Sequence, residues 1–220
     1  MNRLPIRSSY ERPQASSLSG GRVALVALSE AHRSDLYGLS TAPGAEERFR
    51  YLFETVPTPE SFEQFMSSAI ASSDPMYVAV IRQQDGRCLG RQSLMRIAAD
   101  HGVIEIGNIL WGPEMARTAL ATEAFYLHAR YVFETLGYRR FEWKCNVLNA
   151  PSRRAALRFG FRFEGVFKQH MIVNGLSRDT AWYAMLDHEW PAIKARFERW
   201  LSAENFDQNG MQVSRLSANP

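Results

Sequence analysis

Residues 103–147 read VIEIGNILWGPEMARTALATEAFYLHARYVFETLGYRRFEWKCNV, and the change of hydrophobic period along this stretch decides the fold. Residues 103–111 form a strand-like run closed by Gly112-Pro113, a pair that stops a sheet. From about Thr118 to Leu136 the apolar residues fall in two adjacent stripes: Leu120, Ala124, Leu127, Tyr131 and Ala121, Phe125, Val132, Leu136. Together they make the wide apolar face of a helix lying on a sheet, and Gly137 is placed to end that helix. Phe141, Trp143, Cys145 and Val147 then alternate with Arg140, Glu142, Lys144 and Asn146, which is the period of a strand. Strand, long helix and strand predict one parallel pairing.

The flanking sequence is of a different kind. Residues 76–82 and 88–98 are strand-like runs joined by Gln84-Asp85-Gly86, a hairpin signal, and Asp100-His101-Gly102 turns the chain again before residue 103. These runs predict an antiparallel meander. Upstream, residues 22–28 read as a first strand and residues 30–73 as helical, with Thr58-Pro59-Glu60 a helix start. Ser29 is followed three residues on by His32 rather than an acid, a weak cap. Downstream, Asn149 can cap a helix over 150–159 that Gly160 terminates. Two last strands, 161–173 and 178–186, flank Asn174-Gly175, with Gly165 a candidate bulge. The fold class is α+β, with a mixed, mostly antiparallel sheet of six to seven strands. One domain is expected over 21–202, between a loose Ser-, Pro- and Arg-containing arm (1–20) and a polar tail (203–220).

The 220 residues are 45% hydrophobic and 22% charged, enough for one core and ordinary for a globular chain. No apolar run approaches the ~20 residues that span a bilayer, and the first 20 lack a secretory apolar stretch. A cytoplasmic protein without membrane association is expected. Cys88 and Cys145 have neither disulfide-framework nor metal spacing, and His101, His128 and His170 have none either, so no metal is expected. The net charge is only +3, but residues 139–168 hold eight basic side chains against Glu142 and Glu164. Such a field favours an anionic partner, and a solvated face is the alternative.

Four stretches in this order carry a resemblance: Ile104-Glu105-Ile106-Gly107, Ala121-Thr122-Glu123-Ala124, Asn149-Ala150-Pro151-Ser152 and Leu157-Arg158-Phe159-Gly160-Phe161. On those elements, residues 25–190 resemble the GCN5-related N-acetyltransferases (GNAT), and within them the ribosomal-protein N-terminal acetyltransferase-like (RimJ/RimL-type) branch. The resemblance implies the GNAT fold, with helices on both faces of the sheet, and an acetyl-coenzyme A cosubstrate. It also implies an amine acceptor, either a protein N-terminus or a small molecule, and a homodimer as one common assembly. In that family the loop before the long helix grips the coenzyme A pyrophosphate through backbone N–H groups, as free amides at a positive helix end suit an anion. Here the gripping residues would be Met115, Ala116, Arg117, Thr118, Ala119 and Leu120. Arg117 and Ala119 stand where the family has glycines. Asn149 and Ser152 match an Asn-x-x-Ser that contacts coenzyme A, and Arg153 beside them would face a phosphate.

Glu105 is the candidate base. It lies mid-strand on a face shared with Val103, Gly107, Ile109 and Trp111, with Asn108 on the opposite face. A carboxylate there is costly without a partner or a purpose, and desolvation would raise its pKa. A salt-bridged structural glutamate is the alternative. Many relatives place a tyrosine, the acid for the leaving thiolate, where this chain has Ala156, and Ser152 is the candidate substitute. With no Ser–His or Cys–His set, direct attack by the amine is expected. The departures at Ala156 and Arg117 leave open a non-catalytic acyl-coenzyme A sensor. The basic residues leave open a nucleic-acid module, against which stands the absence of a binding motif.

Overall fold

The computed structural model describes residues 9–14 and 17–216. In chain order its strands are β1 (Leu18–Ser19), β2 (Val23–Ala27), β3 (Met76–Arg82), β4 (Cys88–Ala98), β5 (Val103–Trp111), β6 (Arg140–Asn146), β7 (Arg162–Val173) and β8 (Leu176–Leu186). The α-helices are α1 (Arg33–Thr41), α2 (Ala45–Phe49), α3 (Pro59–Ala71), α4 (Ala119–Arg130), α5 (Ala150–Phe159) and α6 (Trp190–Leu201). The strands make one sheet in the order β1-β2-β3-β4-β5-β6-β8-β7, antiparallel except between β5 and β6. One strand more is present than the sequence led us to expect. It is the two-residue β1, too short to carry a hydrophobic period.

α4 behaves as its two stripes require. It begins at Thr118, runs on through a π turn (Tyr131–Thr135), and stops at Gly137, whose φ of 68° suits a left-handed terminator. Its apolar face packs on the sheet beside α5 and α6 in an aromatic core, where Phe125 stacks on Phe159 at 4.3 Å between ring centroids. α1 and α3 cover part of the opposite face, with Leu36, Phe62 and Met66 against Ala79 and Cys88. Helices therefore lie on both faces. Thr58 caps α3 by accepting from the Ser61 amide, and Asn149 caps α5 by accepting from the Ser152 amide. At Ser29 the missing acid is replaced: the Ser29 amide donates to His32 Nδ1 at 3.1 Å. The register shifts between Phe163 and Gly165, as the bulge at Gly165 requires.

The described parts of both expected appendages pack on this body. Tyr10 lies against Tyr138, and its amide donates to Ala99 O; residues 1–8 and 15–16 of the arm lie outside the described set. Glu123 in α4 fastens the β1–β2 turn, its carboxylate accepting the amides of Gly21 (3.1 Å), Arg22 (2.6 Å) and Val23 (2.7 Å). Gly20 permits that approach, since a Cβ there would stand 2.6 Å from Glu123 Cδ. The polar stretch after Ser202 folds back because its polar groups have protein partners. Asn205 bonds Trp200 O and the Ser214 amide, the Trp200 indole donates to Ser214 O, and Leu216 is buried in the core. Residues 217–220 lie outside the described set.

One buried polar chain links sheet and helix. The Trp111 indole can only donate, so Gln92 presents its oxygen to it (3.1 Å) and its amide nitrogen to Ala124 O and His128 Nδ1. His128, with no exposed surface, is thereby a neutral acceptor whose Nε2–H has no partner among the described residues.

Two outcomes follow from these contacts. Glu123→Ala leaves three amides of the β1–β2 turn without an acceptor, and urea unfolding should report a loss of roughly 3 kcal/mol or more. Burial pushes His128 down to about 3. The unfolded chain takes up this proton below about pH 6.5 and the folded chain does not. Stability therefore falls as pH drops from about 6.5 toward 3, by up to about 1.4 kcal/mol per pH unit from this group. A His128→Gln variant should show a shallower acid slope in parallel denaturation series.

Candidate active site

β5 and β6 pair in parallel through four registered positions, from Val103↔Arg140 to Ile106↔Trp143, and not beyond. Residues 107–111 and 144–146 thus part from one another. Being parallel, the two strands end on the same side of the sheet, and each runs directly into a helix, β5 into α4 and β6 into α5. The amino ends of α4 and α5 are thereby brought to one cleft at the carboxyl ends of the strands, the habitual place for a ligand in such topologies.

A bulge shapes the divergence. Ser93 pairs with Gly107 and Arg91 with Leu110, so β5 carries one extra residue there, and Asn108 takes φ 50°. Asn108 Nδ2 donates to Ser93 Oγ, and its carbonyl accepts from Arg91. The extra residue reverses the alternation. Ile109 and Trp111 pack with the aromatic core under α4, so they do not share a face with Glu105 as simple alternation predicted.

The loop before α4 offers amides rather than side chains. The Met115 side chain is buried in the core, and the Met115 and Thr118 amides close turns onto Gly112 O and Met115 O. Thr118 occupies the N-cap position, but its hydroxyl donates back to Met115 O at 2.8 Å and does not cap the helix. The first-turn amides, from Ala119 to Ala121, have no side-chain cap, whereas Thr58 and Asn149 each give one to the third-position amide of α3 and α5. Ala116 and Arg117 are exposed, and Arg117 has φ 64°. An uncapped helix end with exposed loop amides fits a diphosphate.

At the start of α5, Asn149 is occupied as a cap. Ser152 Oγ accepts from the Trp143 indole at 2.9 Å. Arg153 is held by Tyr183 Oη (3.1 Å) and Val147 O.

Glu105 is buried, 3% exposed, with partners on both sides: Arg96 donates to its two oxygens at 2.9 and 2.8 Å, and Lys144 Nζ lies 2.9 Å from Oε2. Lys144 also pairs with Glu142 (2.6 Å) and sits 3.9 Å above the Trp182 ring. Arg96 is held at φ 48° by Asp74, whose carboxylate accepts the Arg96 and Ile97 amides. Sequence reasoning missed Arg96 because a positive-φ bulge residue breaks the alternation that would have placed it. It counted Lys144 only as part of a charge run.

Three of the eight basic side chains of that run have a carboxylate partner: Arg140 binds Glu142 and Glu164, Lys144 binds Glu105 and Glu142, and Arg162 binds Glu189. Arg158 is folded onto Thr122, and Arg153 onto Tyr183 and Val147 O, contacts without a carboxylate. Among the described residues no cluster of His, Cys, Asp and Glu could hold a metal, and no helix is long and apolar enough to cross a membrane.

The sheet order, the single parallel pair and the helix-end cleft define an acyl-coenzyme A-dependent transferase fold. Residues 22–162 match the acetyltransferase (GNAT) domain model, and the chain belongs to that family of acetyl-coenzyme A-dependent N-acetyltransferases. Among solved structures it resembles a GCN5-related N-acetyltransferase from Brucella melitensis, at 49% identity over 96% of both chains with a TM-score of 0.94. It also resembles an acetyltransferase of the family from Chromobacterium violaceum, at 34% identity over 87% of this chain and 98% of that one (TM-score 0.79). The N-acetyltransferase YnaD of Bacillus subtilis is 28% identical over 142 residues, 64% of this chain and 81% of that protein. RimL, a ribosomal L7/L12 α-N-protein acetyltransferase solved with coenzyme A, shares the fold at 21% identity over 78% of this chain and 99% of that one (TM-score 0.67).

The backbone of Arg117 yields a direct check. A side chain in the left-handed region costs about 1 kcal/mol that glycine avoids. Arg117→Gly should raise the urea midpoint slightly and Arg117→Val, with its branched Cβ, should lower it.

Proposed function

We propose that this protein transfers the acetyl group of acetyl-coenzyme A to a primary amine by direct attack. The observation that carries the reading is the uncapped amino end of α4 at the point where β5 and β6 part. The amides of Ala116, Arg117, Ala119 and Leu120 would cradle the diphosphate, with the Arg117 guanidinium free to add a charged contact. Met115 and Thr118 shape the loop. Asn149, Ser152 and Arg153 would flank the cosubstrate at the start of α5. RimL, a protein of the same fold, was solved in complex with coenzyme A, which supports a coenzyme A cosubstrate. When bound, acetyl-coenzyme A supplies an activated acyl thioester.

The protein must then provide a neutral amine, and an alkyl ammonium with pKa ~10.4 is mostly charged at pH 7. Glu105, one residue before the last paired position of β5, is the candidate proton acceptor. Arg96 and Lys144 fix its carboxylate in one orientation. Ser152 is the candidate donor to the departing thiolate. Burial pushes the Cys88 thiol up to about 11 and raises Cys145 as well, so neither is an activated nucleophile, in keeping with direct transfer.

The double pairing of Glu105 favours one other reading, a non-catalytic acyl-coenzyme A sensor, because a carboxylate committed to two cations is fully accounted for as structure. Detection of free coenzyme A over a panel of amines and N-terminal peptides separates the two. We expect acetyl-coenzyme A to raise the melting temperature and at least one amine to release thiol. Glu105→Gln should lower kcat by about a hundredfold or more with little change in the KM for acetyl-coenzyme A. An unchanged rate removes the base assignment, stabilisation without thiol release across the panel identifies the sensor, and no stabilisation at all refutes the cradle.

A further inference from the structure

The face of the sheet that carries Glu105 continues across β6 and β8. Glu142 lies beside Glu105, Lys144 opposite Trp182, and Thr180 and Arg178 follow at two-residue steps along β8. On that face Arg178 is anomalous. It is only 7% exposed, and no carboxylate, carbonyl or hydroxyl among the described residues bonds its guanidinium. Its Nε is fully buried without an acceptor. The contact it has is a ring, Phe53, 5.1 Å from the guanidinium carbon. The Trp182 indole N–H on the same face is likewise buried without an acceptor. Buried cations are ordinarily paired, because a desolvated guanidinium without a counter-ion is costly. Burial pushes Arg178 below its ordinary range.

Phe53 also lines a cavity of about 470 Å³ whose wall mixes apolar side chains of the helices, Leu36, Phe49, Phe62 and Phe65, with polar ones, among them Gln64 and Glu54. Asn174, at the tip of the β7–β8 hairpin that carries Arg178, closes another side. Arg91 in the same cavity supplies the contrast. It is 2% exposed but satisfied by Glu54 and by Asn108 O. One buried arginine is thus built into the wall, and the other is left without an acceptor beside the aromatic side of the cavity.

We propose that Arg178 is an acceptor-binding residue: it receives a carboxylate carried by the amine, while the acceptor's apolar group enters the aromatic cavity beside Phe53. The substrate class is a small apolar amino acid, in which amine, carboxylate and apolar group radiate from one carbon. This rests on the acetyl-transfer reading and specifies its acceptor. A period-two reading from Trp182 back to Arg178 puts the arginine on the face of Lys144, but its lack of a partner is visible only in three dimensions.

The test compares L-phenylalanine, L-phenylalaninamide and phenethylamine as acceptors, by release of coenzyme A, in the wild type and in Arg178→Met and Arg178→Lys. Methionine removes an unpaired buried charge, so the variant should melt no lower than the wild type. L-phenylalanine should exceed both carboxylate-free amines in kcat/KM by about tenfold or more, as expected when a site loses a charge-assisted bidentate partner. Arg178→Met should abolish that preference through KM and leave phenethylamine within about twofold, with Arg178→Lys intermediate. Equal use of the three acceptors by the wild type, or an equal loss for all three in Arg178→Met, overturns the proposal. A binding arm uses 3-phenylpropanoate, which has the carboxylate and ring but no amine, against 3-phenylpropanol. If no amine releases coenzyme A, acetyl transfer to this class has failed. Stabilisation by 3-phenylpropanoate in the wild type alone would then still support the anion site, and its absence would refute it.

Discussion

Everything distinctive in this molecule depends on one short parallel contact. β5 and β6 run together for four registered pairs and then separate, in a sheet that is otherwise antiparallel. Antiparallel neighbours send their chain ends in opposite directions, whereas a parallel pair delivers two strand ends, and the helices that follow them, to one place. The aromatic core under α4 and α5 holds that arrangement, and the bulge at Asn108 prevents β5 from closing the gap by further pairing. The cleft is an enforced defect in the sheet, and the uncapped end of α4 opens onto it.

The charged groups around the cleft form a connected chain: Arg96–Glu105–Lys144–Glu142–Arg140–Glu164. Alternating signs let several ionised side chains sit in or near the interior, where none would be tolerated alone. The chain fixes side-chain orientation where two strands have lost their mutual hydrogen bonds. Arg178 lies outside it, within electrostatic reach of Glu105 and Arg96 but bonded to neither. This unpaired positive charge lies against Phe53, which also lines the cavity.

Local signals carried much of this into the sequence. The stripes of α4, the alternation at Arg140–Asn146, the proline-led start at Thr58 and the cap at Asn149 are each set by residues within a turn or two, and each forms where its pattern places it. Readings departed from the structure where another residue overrode the local rule. His32 took the part of an absent acid at Ser29, Asn108 reversed the faces of Ile109 and Trp111, and Asn205 with Ser214 drew a polar segment onto the domain. The loop residues 115–120 were legible as a candidate phosphate cradle, but the turning away of the Thr118 hydroxyl, which leaves the helix end open, was not.

By itself the sequence determined the class of fold, the single parallel crossover and the helix that ends at Gly137, because periodicity, capping and turn chemistry act over a few residues. Only the tertiary structure decided which charges are spent on one another. Arg140, Lys144 and Arg162 look alike in a string of letters, and so do Arg91 and Arg178. Whether an ionised side chain is paired or left open depends on what lies within about 4 Å, and for Arg96, Arg91 and Lys144 those neighbours come from 9 to 39 positions away in the chain.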